Sequence, residues 1–132
     1  MAYVDANVLL RHFLSDNDAQ SPRATALMER VSQGFDTVDL AETTLFEVVF
    51  TLGRTYKRSK ANIAELMSSF LALPAVRFPR ERRALLALDL FKQSNISFAD
   101  AYLAALALES DGQVFSFARD FDRIPGITRI EP

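Results

Sequence analysis

A chain of 132 residues, 49% hydrophobic and 24% charged, has the size and balance of an ordinary soluble globular protein, and residues 1–132 read as one domain. The absence of Cys excludes disulfides and thiolate zinc sites, and a single His, His12, excludes paired-imidazole catalysis and multi-His metal centres. A net charge of −2 argues against nucleic-acid binding by bulk charge but leaves room for a local basic rim.

The chain opens with a short apolar run, "AYV", that reads as a strand ending at Asp5, followed by a helix over "VLLRHFL". No basic leader with a long apolar stretch precedes it, so no signal peptide is expected, and no run is apolar enough to span a membrane. A cytoplasmic location is the expectation. Residues 21–31 predict a second helix, with Ser21 as N-cap, Pro22 in the first turn and Gly34 as C-cap. "FDTVDL" predicts a strand. "AETTLFEVVFTLGRTYK" and "SKANIAELMSSFLAL" predict two more helices, the latter halted by Pro74, and "AVRF" a short strand.

"ERRALLALDLFKQS" predicts a helix with Leu85, Leu86, Leu88 and Phe91 as its apolar positions. "SFADAYLAALALES" predicts an Ala-rich helix suited to close packing on a sheet and ended by Gly112. "QVFSF" and "ITRIE", separated by the Pro125-Gly126 turn, predict the last strands. Short apolar strands alternating with helices imply an α/β fold with a parallel sheet covered on both faces. In such sheets the functional crevice lies beyond the carboxyl ends of the strands, which is where Asp5, Ser116 and Asp120 fall.

Four acids carry chemical interest: Asp5, Glu47, Asp100 and Asp120. Each has a plain structural explanation. Asp5 can cap the helix after it, Thr44-x-x-Glu47 and Ser97-x-x-Asp100 fit capping boxes, and Asp120 can open a helical turn, with Asp122 one more solvated charge. Glu47 is the most demanding, because "TLFEVVFTL" surrounds it with apolar side chains and an unpaired buried carboxylate costs several kcal/mol or more. It must sit at the margin of the buried face or meet a positive partner. As a set, the acids can converge on one point beyond the sheet. Hard oxygen donors without His or Cys select Mg²⁺ or Mn²⁺. Such a site suits phosphodiester hydrolysis, in which cations activate and orient water and no side chain need be a nucleophile.

"YVDANVLLRHFL", "LFEVVFTLGR", "ISFADAYLAALA" and "VFSFARDFDRIPGITRIEP" resemble, in order and over essentially the whole chain, the motifs of PIN-domain ribonucleases, most closely the VapC toxins of bacterial toxin–antitoxin pairs. The resemblance implies a three-layer α/β/α domain with a central parallel β-sheet and Mg²⁺- or Mn²⁺-dependent endoribonuclease activity on tRNA or ribosomal RNA. It also implies a VapB-like antitoxin partner and a toxin homodimer. By motif, Asp5, Glu47 and Asp100 match the family's principal acids, Asn7 its next polar residue, and Ser116 a supporting hydroxyl. Asp120 matches the second acid of a C-terminal motif whose first acid is replaced here by Ala118. That replacement favours an alternative, a degraded PIN module that only binds antitoxin or RNA; the intact acidic trio opposes it. An aspartyl-phosphate phosphotransfer domain is more distant, since Asn7 stands where its second Asp belongs.

Arg11 and Arg119 are candidate substrate-binding residues, with Arg54, Lys57, Arg58 and Lys60 as further phosphate contacts, against the blander reading of solvated helix faces. Phe98, Phe117 and Phe121 can stack bases, but core packing is the stronger expectation for all three.

Overall fold

In a computed structural model that describes residues 2–132, the first strand, β1 (Ala2–Tyr3), delivers the chain to Asp5, where helix α1 (Ala6–Leu14) begins. The chain divides into two units, Met1–Pro79 and Arg80–Pro132.

In the first unit, α1 buries Ala6, Leu9 and Leu10, the spacing of one helix face, and stops at Ser15, which adopts a left-handed φ of 51°. Helix α2 (Ser21–Ser32) buries Ser21, Ala24, Met28 and Val31. Ser21 is not the N-cap: it lies inside the helix, where its Oγ donates to the Arg11 carbonyl (2.7 Å) and accepts from the Asn17 N–H (3.2 Å). The hydroxyl thus ties the start of α2 to the end of α1. The N-cap is Gln20, which makes no side-chain cap bond, and Asn17 instead holds the turn before the helix, its Oδ1 accepting from the Ala19 and Gln20 N–H groups. Gly34 closes the helix as expected, at φ 79°, with its own N–H and that of Phe35 bonded to the Val31 and Arg30 carbonyls.

That turn shortens the next strand. β2 covers only Val38–Asp39, because residues 35–36 complete the helix exit instead. Helix α3 (Glu42–Arg54) buries Leu45, Val48, Val49 and Leu52. Helix α4 (Lys60–Leu71) starts at Ser59, whose hydroxyl accepts the Asn62 N–H, and leads through Pro74 into β3 (Val76–Arg77). The strands form a parallel sheet in the order β1-β2-β3, registered Ala2 to Val38 to Val76. An Arg77–Asp39 ion pair (3.0 Å) bridges the carboxyl ends of two strands.

In the second unit, α5 (Glu81–Gln93) and α6 (Phe98–Leu108) form a tightly packed pair. The small side chains of α6 serve this helix contact more than a sheet: Ala101, Ala104 and Ala105 are fully buried, as are Ala84 and Ala87 of α5. Leu88 and Phe91 are buried as expected, but Leu86 faces outward. Phe98 stacks edge-on against Phe91 and Tyr102, so it belongs to the core. Arg83 grips Glu109 with two hydrogen bonds (2.9 and 2.7 Å), which holds the Glu109 carboxyl below its ordinary range. β4 (Gln113–Phe115) pairs in parallel with β5 (Thr128–Ile130), the two joined through a 3₁₀ turn, Arg119–Arg123. The α/β class with parallel strands anticipated from the sequence is therefore present. No helix among the described residues is long and apolar enough to cross a membrane.

Candidate functional site

Asp5 occupies the N-cap position of α1 with extended backbone angles, and its carbonyl accepts the Val8 N–H (3.0 Å). Its side chain makes no capping hydrogen bond. The carboxylate is exposed at the N-terminus of a helix, where negative charge is favoured, and is not engaged in holding that helix together. Asn7, two residues further, is also exposed. Both line a groove of about 720 Å³ between α1 and α2, whose other polar lining is Arg11, Gln20, Arg23 and Arg30.

Glu47 resolves differently from either expectation. The N-cap of α3 is Ala41, so Thr44 lies inside the helix and the capping box does not form. Glu47 sits in the second turn, on the exposed stripe Thr43, Glu47, Phe50, Arg54, while Leu45, Val48 and Val49 face the core. The apolar neighbours in sequence are thus not its neighbours in space, and no burial penalty arises. Phe50 stays 64% exposed, with the Arg54 guanidinium over its ring at 5.8 Å.

In the second unit, Ser97 caps α6 by accepting the Asp100 N–H (3.1 Å), which is the half of the box that matters to the helix. The Asp100 carboxylate, half-buried in the first turn, makes no hydrogen bond or ion pair among the described residues. Among the described residues Asp120 pairs only with Arg123, three residues on and 3.6 Å away, with the two side chains 44% and 68% exposed. Such a pair contributes about 0–1 kcal/mol and leaves the carboxylate exchangeable.

Ser116 follows β4 and shapes the turn after it: its Oγ accepts the Ala118 N–H (2.9 Å), its own N–H donates to the Ile130 carbonyl, and its carbonyl accepts from Arg129. Ala118 then takes the position before the 3₁₀ turn. Asp122 is not merely solvated. Arg129, only 12% exposed, donates to it at 2.9 Å, and that bond holds the Asp122 carboxyl below its usual range. Phe121 is buried and belongs to the core, whereas Phe117 is 71% exposed, against the expectation of core packing. Arg119 is exposed in the same turn.

The donor set suits a hard divalent cation, since every candidate is a carboxylate oxygen and none is sulfur or imidazole. Asp5 and Glu47 belong to the first unit, Asp100 and Asp120 to the second. Among the described residues no three His, Cys, Asp or Glu side chains already stand together as a metal cluster. Arg23 and Arg30 were not singled out by sequence. The available signal was their seven-residue spacing, which puts both on one face of a helix.

A family model for the PIN domain matches residues 2–127, across both units. The chain belongs to the PIN domain family. PIN domains are generally nucleases and usually use divalent metal ions, so the fold is a nuclease fold. No curated protein matches the chain.

Proposed function

We propose that this PIN domain is a Mg²⁺- or Mn²⁺-dependent endoribonuclease and the toxin component of a type II toxin–antitoxin pair, cleaving tRNA or ribosomal RNA in the cytoplasm. The observation that carries the reading is Asp5: a strand-end carboxylate at a helix N-terminus, free of capping duty, at a groove that also holds three guanidinium groups. Asp5 acts on the helix only through its charge, so its oxygens stay available to a ligand. Glu47 and Asp100 support it, because both are carboxylates outside any ion pair at the positions of the VapC motif. We assign Asp5, Glu47 and Asp100, with Asp120, to hold the cation; their assembly into one shell is part of the proposal, as is the treatment of residues 1–132 as one domain.

When bound, the cation supplies activation of water and stabilisation of charge on the leaving oxygen. The chain's own residues do the rest. The acids bind and orient, Ser116 fixes the turn that presents residues 118–120, and Asn7 offers an amide beside Asp5. Arg11 and Arg119 neutralise phosphates of the RNA. A VapB-like antitoxin and a homodimer complete the proposed assembly, on the motif resemblance alone. One specific feature favours a second reading, a binding module with a degraded site: Ala118 carries a methyl group where the motif has an acid.

The test is cleavage of total tRNA and ribosomal RNA by the unaltered chain, Asp5→Asn and Ala118→Asp, in Mg²⁺, in Mn²⁺ and in EDTA. Position 118 is the cap of the 3₁₀ turn, where Asp is well tolerated, so the last variant should fold. Expected is metal-dependent cleavage abolished by Asp5→Asn and raised by Ala118→Asp, by on the order of 10²-fold if the added carboxylate acts electrostatically. No cleavage of any RNA by the unaltered chain or by Ala118→Asp would leave the binding module.

A further inference from the structure

The groove between α1 and α2 has a charge pattern opposite to that of the whole chain. The chain carries a net charge of −2, yet the groove is lined by Arg11, Arg23 and Arg30 with Asp5 as the lone carboxylate. Arg23 and Arg30 stand two turns apart on one face of α2, an axial separation of roughly 10 Å. Arg11 projects from α1 on the same side as Asn7, one turn earlier.

The three guanidiniums differ in engagement. Arg23 is exposed and makes no hydrogen bond or ion pair among the described residues. Arg30 donates to Asp36 at 2.8 Å, with both side chains about half exposed, a pair that a phosphate can displace at little loss. Arg11 donates through Nε to the Gln20 side-chain Oε1 at 2.8 Å, which orients its fork, and lies 3.7 Å from Asp16. The two helices that flank the groove are tied together, since the buried Ser21 hydroxyl bonds α2 to the last turn of α1. A row of oriented or unengaged guanidiniums two helix turns long is more than one small anion would fill, and it suits the repeated phosphates of a nucleic-acid backbone.

We propose that this groove is a phosphate track for single-stranded RNA, in which Arg23 and Arg30 bind separate phosphates of one strand and Arg11 hands the strand to Asp5. The track deepens the nuclease reading and rests on it for the identity of the ligand as substrate. Its length accommodates on the order of two or three nucleotides. Arg23 and Arg30 are binding residues here, not catalytic ones.

Binding is measured apart from cleavage, by fluorescence anisotropy of a 2′-O-methyl oligonucleotide of mixed sequence in EDTA, as a function of salt. The proteins are the unaltered chain, Arg23→Ala, Arg30→Ala, the double variant, and Arg82→Ala as a matched loss of one exposed charge from the other unit. Asp36→Asn controls for loss of the Arg30 ion pair, and melting curves confirm folding. Each track variant should lower the magnitude of the salt slope by about 0.7, the value for one phosphate contact on a single strand, and the double variant by about twice that. Arg82→Ala should leave the slope unchanged. Slopes for the double variant equal to that of Arg82→Ala, or no RNA binding by the unaltered chain, overturn the track. So does loss of polyglutamate binding in the double variant with RNA binding intact, which would assign the groove to an acidic protein segment. Cleavage by the unaltered chain with unaltered slopes removes the track and keeps the nuclease; altered slopes without any cleavage keep the track and remove the nuclease.

Discussion

Gly112→Ala should be far more damaging than Gly34→Ala, although both glycines follow a helix and both have positive φ, 76° and 79°. The left-handed region alone costs a non-glycine residue about 1–2 kcal/mol. At Gly34 nothing lies within 4 Å of an added Cβ, so that strain is the whole effect. At Gly112 the Cβ would fall on the carbonyl oxygen of Gly126, well inside van der Waals contact, and backbone cannot swing aside as a side chain does. Relief requires moving the chain just before β5, which endangers the Thr128 N–H bond to the Gly112 carbonyl (2.8 Å) and the Gly112 N–H bond to Ala107 (2.9 Å). At about 1 kcal/mol for each weakened bond, the total reaches roughly 3–4 kcal/mol. For a chain of this length that is a fall in Tm of about 10–20 °C, against about 3–10 °C for Gly34→Ala. Thermal and urea melts followed by circular dichroism measure both, with the urea m-value checking that the unfolded state is unchanged. Melting points for the two variants within about 2 °C of each other would refute the close-approach argument, because only the steric term separates them.

Burial holds the His12 imidazole below its ordinary value of 6.5, an effect that Glu29 partly offsets. The unfolded chain therefore takes up a proton first as pH falls, so stability should be constant above about pH 7 and decline as pH drops through 6.5. His12→Asn, which can keep the contact with Thr25 (2.9 Å), should flatten stability between pH 7 and 5.5; an unchanged slope there would refute it. The lowered Glu109 and Asp122 carboxyls act in a lower window, their contribution present above their ordinary values of 4.5 and 3.8 and lost below. Mn²⁺ at ten times its dissociation constant should add about 1.4 kcal/mol, a rise in Tm of roughly 3–8 °C, and Asp5→Asn should diminish it without unfolding the apo protein. Superimposed melts in Mn²⁺ and EDTA would dispose of the metal site.

The elements were legible where a local rule has one outcome. Gly34 and Gly112 mark helix exits because only glycine accepts their φ cheaply, and Ser97 caps because its hydroxyl has a free N–H three residues on. Reading failed where one residue type serves two geometries. Ser21 satisfies the same pattern as a cap, but its hydroxyl reaches a carbonyl ten residues back, which depends on how α1 and α2 pack. Thr44 and Glu47 match a capping box by spacing, yet the strand ending at Asp39 sets the helix start at Glu42 and leaves both residues inside. The partnership of Asp122 with Arg129 depends on β5 returning beside β4, which no local window contains. Phe117 shows the same limit: composition favours a buried ring, and only the turn held by Ser116 puts it outside.

The acids themselves separate into two kinds once their partners are known. Asp39, Asp122 and Glu109 each meet an arginine within 3.0 Å, and each ties two segments together: strand to strand, turn to strand, helix to helix. Asp5, Glu47 and Asp100 meet none among the described residues, although Asp5 lies in a groove with three arginines. A carboxylate used for architecture is paired, because the charge is otherwise costly to hold in place. A carboxylate kept accessible at a helix start, with its capping duty taken by a neighbour or left undone, contributes to that architecture only its charge at the helix N-terminus, about 0.3–1 kcal/mol. Ser97 relieves Asp100 of the cap, and at Asp5 the helix starts without one. Glu47, exposed in the second turn of α3, is likewise unpaired, so replacing any one of the three motif acids by its amide tests function with little structural confusion. Ala118 stands apart: Ser116 already holds its N–H, so the turn forms with or without an acid there, and that position is free to change the chemistry while the backbone stays as it is.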